Sequence, residues 1–106
     1  MKKDYLLIFS TASSMKEARL ISNELLKKNL AACITISSKA ESHYVWKGKK
    51  ELAREYVLLI KTKSSLYPKL EIAIRKIDSY KNPEIIAVPI QKGSQAYLSW
   101  IRDSIC

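Results

Sequence analysis

The sequence predicts an α+β fold: an antiparallel sheet with helices on one face, in the order β-α-β-β-α-β, closed by an extra C-terminal helix. Three observations carry this. Two segments repeat apolar residues at helical spacing, Met15, Ala18, Ile21 and Leu25 in the first and Leu66, Leu70, Ala73 and Ile77 in the second, and each repeat draws an apolar stripe down one side of a helix. Between them, Leu30 to Thr62 is rich in Ile, Thr, Val and aromatic residues, holds no proline, and contains a lone glycine, Gly48, at its middle, the pattern of a long hairpin. Tyr5 to Phe9 and Glu84 to Ile90 are short apolar runs that read as buried strands flanking this unit. A chain of 106 residues forms one domain, residues 1–106, with a modest core.

Taken in order, Tyr5 to Phe9 is the first strand and Ser10 to Ser14 a polar turn. Ser13 or Ser14 is placed to cap the helix Met15–Lys28 by accepting a bond from a free backbone N–H. Lys27 and Lys28 suit the negative end of that helix, and Asn29 tolerates the left-handed conformation that ends it. Leu30 to Trp46 is the next strand, bent or bulged where it turns polar at Ser37 to Ser42. Lys47-Gly48-Lys49 is a turn in which Gly48 takes a positive φ, and Glu51 to Thr62 returns as the partner strand. Ser64 or Ser65 caps the second helix, with Pro68 accommodated in its first turn. Asp78 to Asn82 is a loop, Glu84 to Ile90 the last strand, and Lys92-Gly93-Ser94 leads into a final helix with Tyr97, Trp100 or Ile101, and Ile105 on one side. Strand, helix, strand, strand, helix, strand is the ferredoxin-like plan.

The hairpin is longer than that plan requires. Two strands of about 12 residues reach about 40 Å, which carries Tyr44, Val45, Trp46, Leu52 and Tyr56 beyond the cover of two helices. Exposed strand edges and aromatics invite another chain, so oligomerisation through sheet extension is expected, with Tyr44, Trp46, Tyr56 and Trp100 as interface residues.

Composition narrows the function classes. Hydrophobic residues make up 47% and charged residues 27%, as in ordinary globular domains. The net charge of +9 raises a polyanionic partner, yet the lysines are dispersed along the chain, the pattern of a solvated face; nucleic acid is not the expected partner. No run spans a bilayer and no signal-peptide core is visible, so no membrane role and a cytoplasmic location are expected. Cys33 and Cys106 are the two cysteines: no disulfide framework follows, Cys33 reads as a small buried packing residue, and the terminal Cys106 as a mobile thiol. With two glycines, Gly48 and Gly93, there is no phosphate-cradling loop or dinucleotide fingerprint. His43 is the lone histidine and reads as a packing or interface residue; a Cys33 nucleophile served by His43 is the weaker alternative. The chain is not expected to be an enzyme.

One cluster stands out. Lys61 ends an apolar strand, Glu84 opens another, and Tyr80 precedes it; buried charges of this kind need partners. With Trp46 brought alongside across a subunit boundary, Trp46, Lys61, Tyr80 and Glu84 form either a pocket for a small anion or metal, or an ion pair that fixes register. Asp78 and Glu84 are the oxygen donors available to a metal, and a solvated Asp78 is the simpler expectation.

Leu30-Ala31-Ala32-Cys33, His43-Tyr44-Val45-Trp46-Lys47-Gly48-Lys49, Leu58-Leu59-Ile60-Lys61-Thr62-Lys63, Tyr80-Lys81-Asn82-Pro83-Glu84-Ile85-Ile86-Ala87-Val88-Pro89 and Tyr97-Leu98-Ser99-Trp100 occur in this order. Order and spacing resemble the CutA divalent-cation-tolerance family from Thr11 to Trp100. The resemblance implies the ferredoxin-like fold, a homotrimer whose hairpins pair between subunits, a part in the response to metal ions, and a ligand-binding scaffold. The alternative is a signalling trimer of the PII type, binding a small effector in inter-subunit clefts. Some CutA proteins are associated with copper through a cysteine ending the first strand and histidines before the Pro-Glu-Ile block. Here those positions read Ser10 and Ile77-Asp78-Ser79-Tyr80, which lack soft donors. A divalent metal ion is the candidate cofactor by resemblance, but copper is not expected by that route. Cys106 is the place where a copper ion would more readily be taken up.

Overall fold

The computed structural model describes residues 4–105. The elements are β1 (Tyr5–Ala12), α1 (Met15–Lys27), β2 (Cys33–Ile36), β3 (Ala40–Trp46), β4 (Lys49–Lys63), α2 (Tyr67–Ile77), β5 (Ile85–Pro89) and α3 (Gln95–Ser104), with a 3-10 turn at Ser64–Leu66 leading into α2. The strand order is β2-β4-β1-β5, with β3 paired to the other half of β4. All pairings are antiparallel. This is the ferredoxin-like plan with an extended hairpin.

The 15-residue β4 organises the molecule. Its C-terminal half lies between β1, in the register Tyr5↔Lys63 to Ala12↔Tyr56, and β2, in the register Cys33↔Lys61 to Ile36↔Leu58. Its N-terminal half pairs with β3 alone, from Ala40↔Glu55 to Trp46↔Lys49. The result is a body with an arm, 44 × 28 × 24 Å in extent and 14.4 Å in radius of gyration, against about 13 Å for a compact domain of this length.

In the body, side chains alternate across the sheet. Ile8 and Ala12 of β1 and Leu58 and Ile60 of β4 face the helices and meet Ala18, Ile21 and Leu25 of α1 and Leu70, Ala73 and Ile74 of α2, all buried. Thr62 continues this face, and its buried hydroxyl donates to the Leu30 carbonyl at 2.7 Å. Ser14 is the cap of α1, its oxygen accepting the Glu17 N–H at 3.1 Å. Asn29 ends the helix at φ 55°, and the Leu30 N–H returns to the Leu25 carbonyl at 2.9 Å, the helix-ending geometry that a left-handed residue permits.

Several expectations are corrected. The segment Leu30–Trp46 is two strands: Ser37 interrupts the ladder by using both its N–H, donated to the Val57 carbonyl, and its hydroxyl, which accepts the Val57 N–H. Neither Ser64 nor Ser65 caps α2, which begins after Leu66 without a side-chain cap because the 3-10 turn runs straight into it, with Pro68 in its first turn. β5 is not a buried strand: it pairs with β1 alone, and Ile86 and Val88 are exposed. The sequence assigns α3 to neither face of the sheet, and the structure does not place it on the face of α1 and α2. Tyr97 lies against Cys33, and Cys33 pairs with Lys61, which points away from the face of Ile60; α3 therefore covers the opposite side of the sheet. Cys33 is half-buried rather than buried.

Candidate functional site

Where the arm leaves the body, β1 ends at Thr11 and Ala12, and the loop 78–84 folds over the junction. Together they enclose a cleft of ≈ 740 Å³, within the range of small-ligand sites. Its aromatic wall is Tyr44 and Trp46 of β3, its rim carries Lys47, Lys81 and Glu84, and its floor includes Thr11, Ser42, Glu55 and Tyr80.

Glu55 is the centre of the site. It is 7% exposed, and both carboxylate oxygens are occupied: Oε2 accepts from the Ser42 hydroxyl at 2.5 Å and Oε1 from the Tyr80 hydroxyl at 2.8 Å. Ser42 arrives from the neighbouring strand two residues along, since Ser42 pairs with Ala53. Tyr80 arrives from the loop, so one carboxylate ties arm, body and loop together. Burial, and then Glu55, hold the Tyr80 hydroxyl well above the ordinary tyrosine range; Tyr80 acts here as a hydrogen-bond donor.

Behind this floor lies a second, acidic layer. Asp78 ends α2 and is 9% exposed. Its Oδ1 accepts the Tyr80 N–H at 3.0 Å, while its Oδ2 is buried without a partner. Glu17 of α1 accepts the Ser79 N–H on Oε1 at 3.2 Å, and its Oε2 is likewise buried and unpaired. Burial above all pushes the Asp78 carboxyl up to about 6; the Tyr80 N–H opposes it, and the neighbouring Glu17 and then Glu55 add to the rise. The expectation of a solvated Asp78 is therefore wrong: the first turn of α1 covers it.

The residues singled out in the sequence are only partly brought together. Trp46, Tyr80 and Glu84 line one cleft. Lys61 does not: it lies six positions along β4 from Glu55, roughly 20 Å away at strand rise, and donates to Thr35 Oγ1 at 3.1 Å. The partner of Tyr80 is Glu55, which sequence reasoning missed. The signal was a carboxylate directly ahead of the apolar run Tyr56–Ile60 on a half-covered strand, where an unpaired charge is costly. Tyr44 and Trp46 are exposed on the arm, 47% and 43%, and Trp100 is exposed on α3 at 46%, its ring 5.5 Å from that of Tyr97. Tyr56 departs from expectation: it is opposite Ala12 and packs against the core. His43 is exposed rather than packed, its Nε2 2.9 Å from Glu41, and nine positions of β4 separate its partner Leu52 from Lys61, the partner of Cys33. At roughly 30 Å these two cannot act as nucleophile and base within one chain. Cys106 lies outside the described residues.

The architecture has close counterparts. The chain matches the family of CutA1 divalent ion tolerance proteins over residues 6–104. This protein belongs to the CutA1 family. The divalent-cation tolerance protein CutA of Archaeoglobus fulgidus is 37% identical over 98 residues, 92% of this chain and 95% of that one. Human protein CutA is 39% identical over 94 residues, 89% of this chain but 52% of the human one. Among solved structures, CutA from Xylella fastidiosa superposes with a TM-score of 0.94 at 39% identity, covering 97% of this chain and 99% of that chain. The periplasmic CutA of Archaeoglobus fulgidus gives 0.92 at 35% identity, covering 96% and 99%. Among the described residues, no helix is long and apolar enough to cross a membrane.

For a CutA1 protein the metal question is a question of donors. Among the described residues there is no group of three or more His, Cys, Asp or Glu side chains placed to hold a metal ion. Ser10, fully buried, and Asp78 both keep an unpaired side-chain oxygen. Both are hard donors, and Glu84 stands apart at the cleft rim. This set does not fit a soft copper ion.

Proposed function

We propose that this CutA1 protein serves divalent-cation tolerance as a homotrimeric binding scaffold that holds a ligand and does not transform one. The observation that carries this reading is the cleft: a buried carboxylate, Glu55, held by Ser42 and Tyr80, sits beneath exposed Tyr44 and Trp46. Exposed aromatics at the mouth of a polar pocket suit a site completed by a neighbouring subunit, and the unpaired edge of β5 with Ile86 and Val88 offers a second apolar contact. The separation of Cys33 from His43 supports binding rather than nucleophilic catalysis. The ligand of this reading is a divalent cation or a small molecule bearing hydrogen-bond donors, which the acceptor-rich floor favours.

The test is a thermal-shift series against divalent metal ions and small acids and amines, on the wild type and on Glu55→Gln. A ligand that raises the wild-type Tm and not that of the variant supports the cleft as the site. No response, or an equal response in both proteins, removes it. Light scattering addresses the assembly: three times the 12.1 kDa chain mass is expected, and a monomer at micromolar concentration ends the trimeric reading.

A further inference from the structure

The molecule has a second concavity, remote from the arm. A groove of ≈ 340 Å³ runs between the C-terminal end of α1 and the outer side of α2. Its floor is apolar: Leu30 and Ala73, both buried, with half-buried Leu66, while Ile72 stands 57% exposed at the lip. Around this floor lie Lys28, Lys69 and Lys76. Lys69, Ala73 and Lys76 follow the i, i+4, i+7 spacing that puts side chains on one helix face, so the two ammonium groups on α2 bracket the apolar patch. Lys28 is engaged, its Nζ 2.7 Å from Glu24. Lys69 and Lys76 are exposed and take part in none of the ion pairs of the described residues.

We infer that this groove binds a small amphiphilic anion, an acyl or aromatic body seated on Leu30, Leu66, Ile72 and Ala73 with a phosphate, sulfonate or carboxylate held between Lys69 and Lys76. Charge complementarity selects the head group. One carboxylate, Glu24, approaches the rim; it is paired with Lys28 and also feels the charges of Lys27 and Lys76, so Lys28, Lys69 and Lys76 outnumber it and the rim keeps an excess of positive charge. The polarity of the helices selects its position. The C-terminal end of α1 presents the negative end of a helix dipole near Lys28 and Asn29, whereas Lys69 lies in the first turn of α2, the positive end, where there is no acidic residue. Lys76 lies in the last turn of α2, the negative end, so the dipole draws an anion toward Lys69, while Lys76 contributes its own charge only. The backbone N–H groups that close α1 are already used, Lys28 to Glu24, Asn29 to Leu26 and Leu30 to Leu25, so the ammonium groups and not a backbone nest supply the recognition. The size selects the body: the groove lies at the small end of ligand sites, fit for a chain of up to about eight carbons or one ring. The site is independent of the cleft and of the reading proposed for it.

The experiment is an amide NMR titration of the full chain with octyl phosphate, inorganic phosphate and octyl glucoside in parallel. Octyl phosphate is expected to shift the amides of residues 28–30 and 66–76, at least about tenfold more tightly than inorganic phosphate, because the apolar body contributes. Octyl glucoside should leave those amides in place. The double variant Lys69→Glu, Lys76→Glu should weaken octyl phosphate about tenfold or more and remain folded with a cooperative thermal transition, since both side chains are exposed. Lys69→Arg with Lys76→Arg should retain binding. Shifts confined to the cleft or to β5, inorganic phosphate binding as tightly as octyl phosphate, or unchanged affinity in the charge-reversed variant would each overturn the assignment. Anionic vesicles that bind the wild type and not the charge-reversed variant, with free octyl phosphate inert, would likewise overturn it in favour of a membrane surface.

Discussion

The two halves of β4 are built on opposite terms. From Tyr56 to Lys63 the strand has a partner on one side throughout and on both sides over Leu58 to Lys61, and Leu58, Ile60 and Thr62 are fully buried under α1 and α2. From Lys49 to Glu55 it has a single partner, β3, and no helix over it; Leu52, Tyr44, Val45 and Trp46 are between 43% and 67% exposed. A two-stranded ribbon with exposed aromatics is marginal in water, so the body can account for its own stability and the arm cannot. The junction between them is where the buried carboxylate Glu55 sits. Glu55 is thus held where the helix-covered half of the strand meets the half that α1 and α2 leave uncovered.

The largest expected effect tests the self-sufficiency of the body. Leu70→Ala removes a fully buried side chain between α2 and the sheet and should cost about 2–5 kcal/mol. Chemical denaturation should show that loss equally at low and high protein concentration. Trp46→Ala should behave differently. If the arm is stabilised by other chains, its loss, about 3 kcal/mol or more for a well-covered aromatic, should appear as a lowered assembly mass or a Tm that depends on concentration. An unchanged Tm and an unchanged mass for Trp46→Ala would break the comparison, because the arm would then need no partner.

The same contrast explains what could be read from the sequence. The body was legible because periodicity reports burial. Met15 to Leu25 and Leu66 to Ile77 mark their apolar faces at 3.6-residue spacing, and Asn29 marks the positive-φ residue that ends α1; at the tip of the arm Gly48 is legible in the same way, but Lys47 is not. β5 misled because Ile85-Ile86-Ala87-Val88 looks the same whether a strand is covered by its own chain or waits at an edge. Composition carries no information on which chain supplies the cover. The site was half legible. Tyr80, Glu84 and Trp46 share the cleft, but Lys61 was joined to them on chemical type alone, and the register of β4 sets it on the far part of the strand. Asp78 was misplaced because a charged residue after a helix is ordinarily solvated; its burial depends on the packing of the first turn of α1 against the loop, a long-range contact that no local pattern encodes.

Asp78 supplies the pH-dependent test of the junction. Its carboxyl is pushed up to about 6 from an ordinary 3.8, so folding favours the protonated form. The sign follows: its contribution to stability is fully present below about pH 4 and is lost as pH rises through about 6. Asp78→Asn removes the charge and should raise the Tm at pH 7.5, by about 1–3 kcal/mol in stability, with little change at pH 4. A variant less stable than wild type at pH 7.5 would show that the carboxylate is held by interactions stronger than its burial and its acidic neighbours.

The smallest expected effect lies at the tip of the arm. Lys47 and Gly48 both have positive φ, 52° and 79°, the two-residue hairpin turn of type I′, whose twist matches that of the strands it joins. Gly48 suits its position; a Cβ there would meet no atom within 4 Å, so the cost of Gly48→Ala comes from backbone conformation alone. Lys47 is a long side chain held left-handed, which asparagine tolerates better. Lys47→Asn creates the Asn-Gly pair preferred in this turn and should stabilise the arm by about 0.5–1 kcal/mol, less whatever Lys47 gains from lying 5.9 Å above the Trp46 ring. Hydrogen exchange locates the gain. Protection should rise at the amides of β3 and of residues 49–55 and stay constant in β1 and β2. A rise spread evenly over the whole sheet would mean that arm and body unfold as one unit, and the division of β4 into two halves would be structural but not energetic.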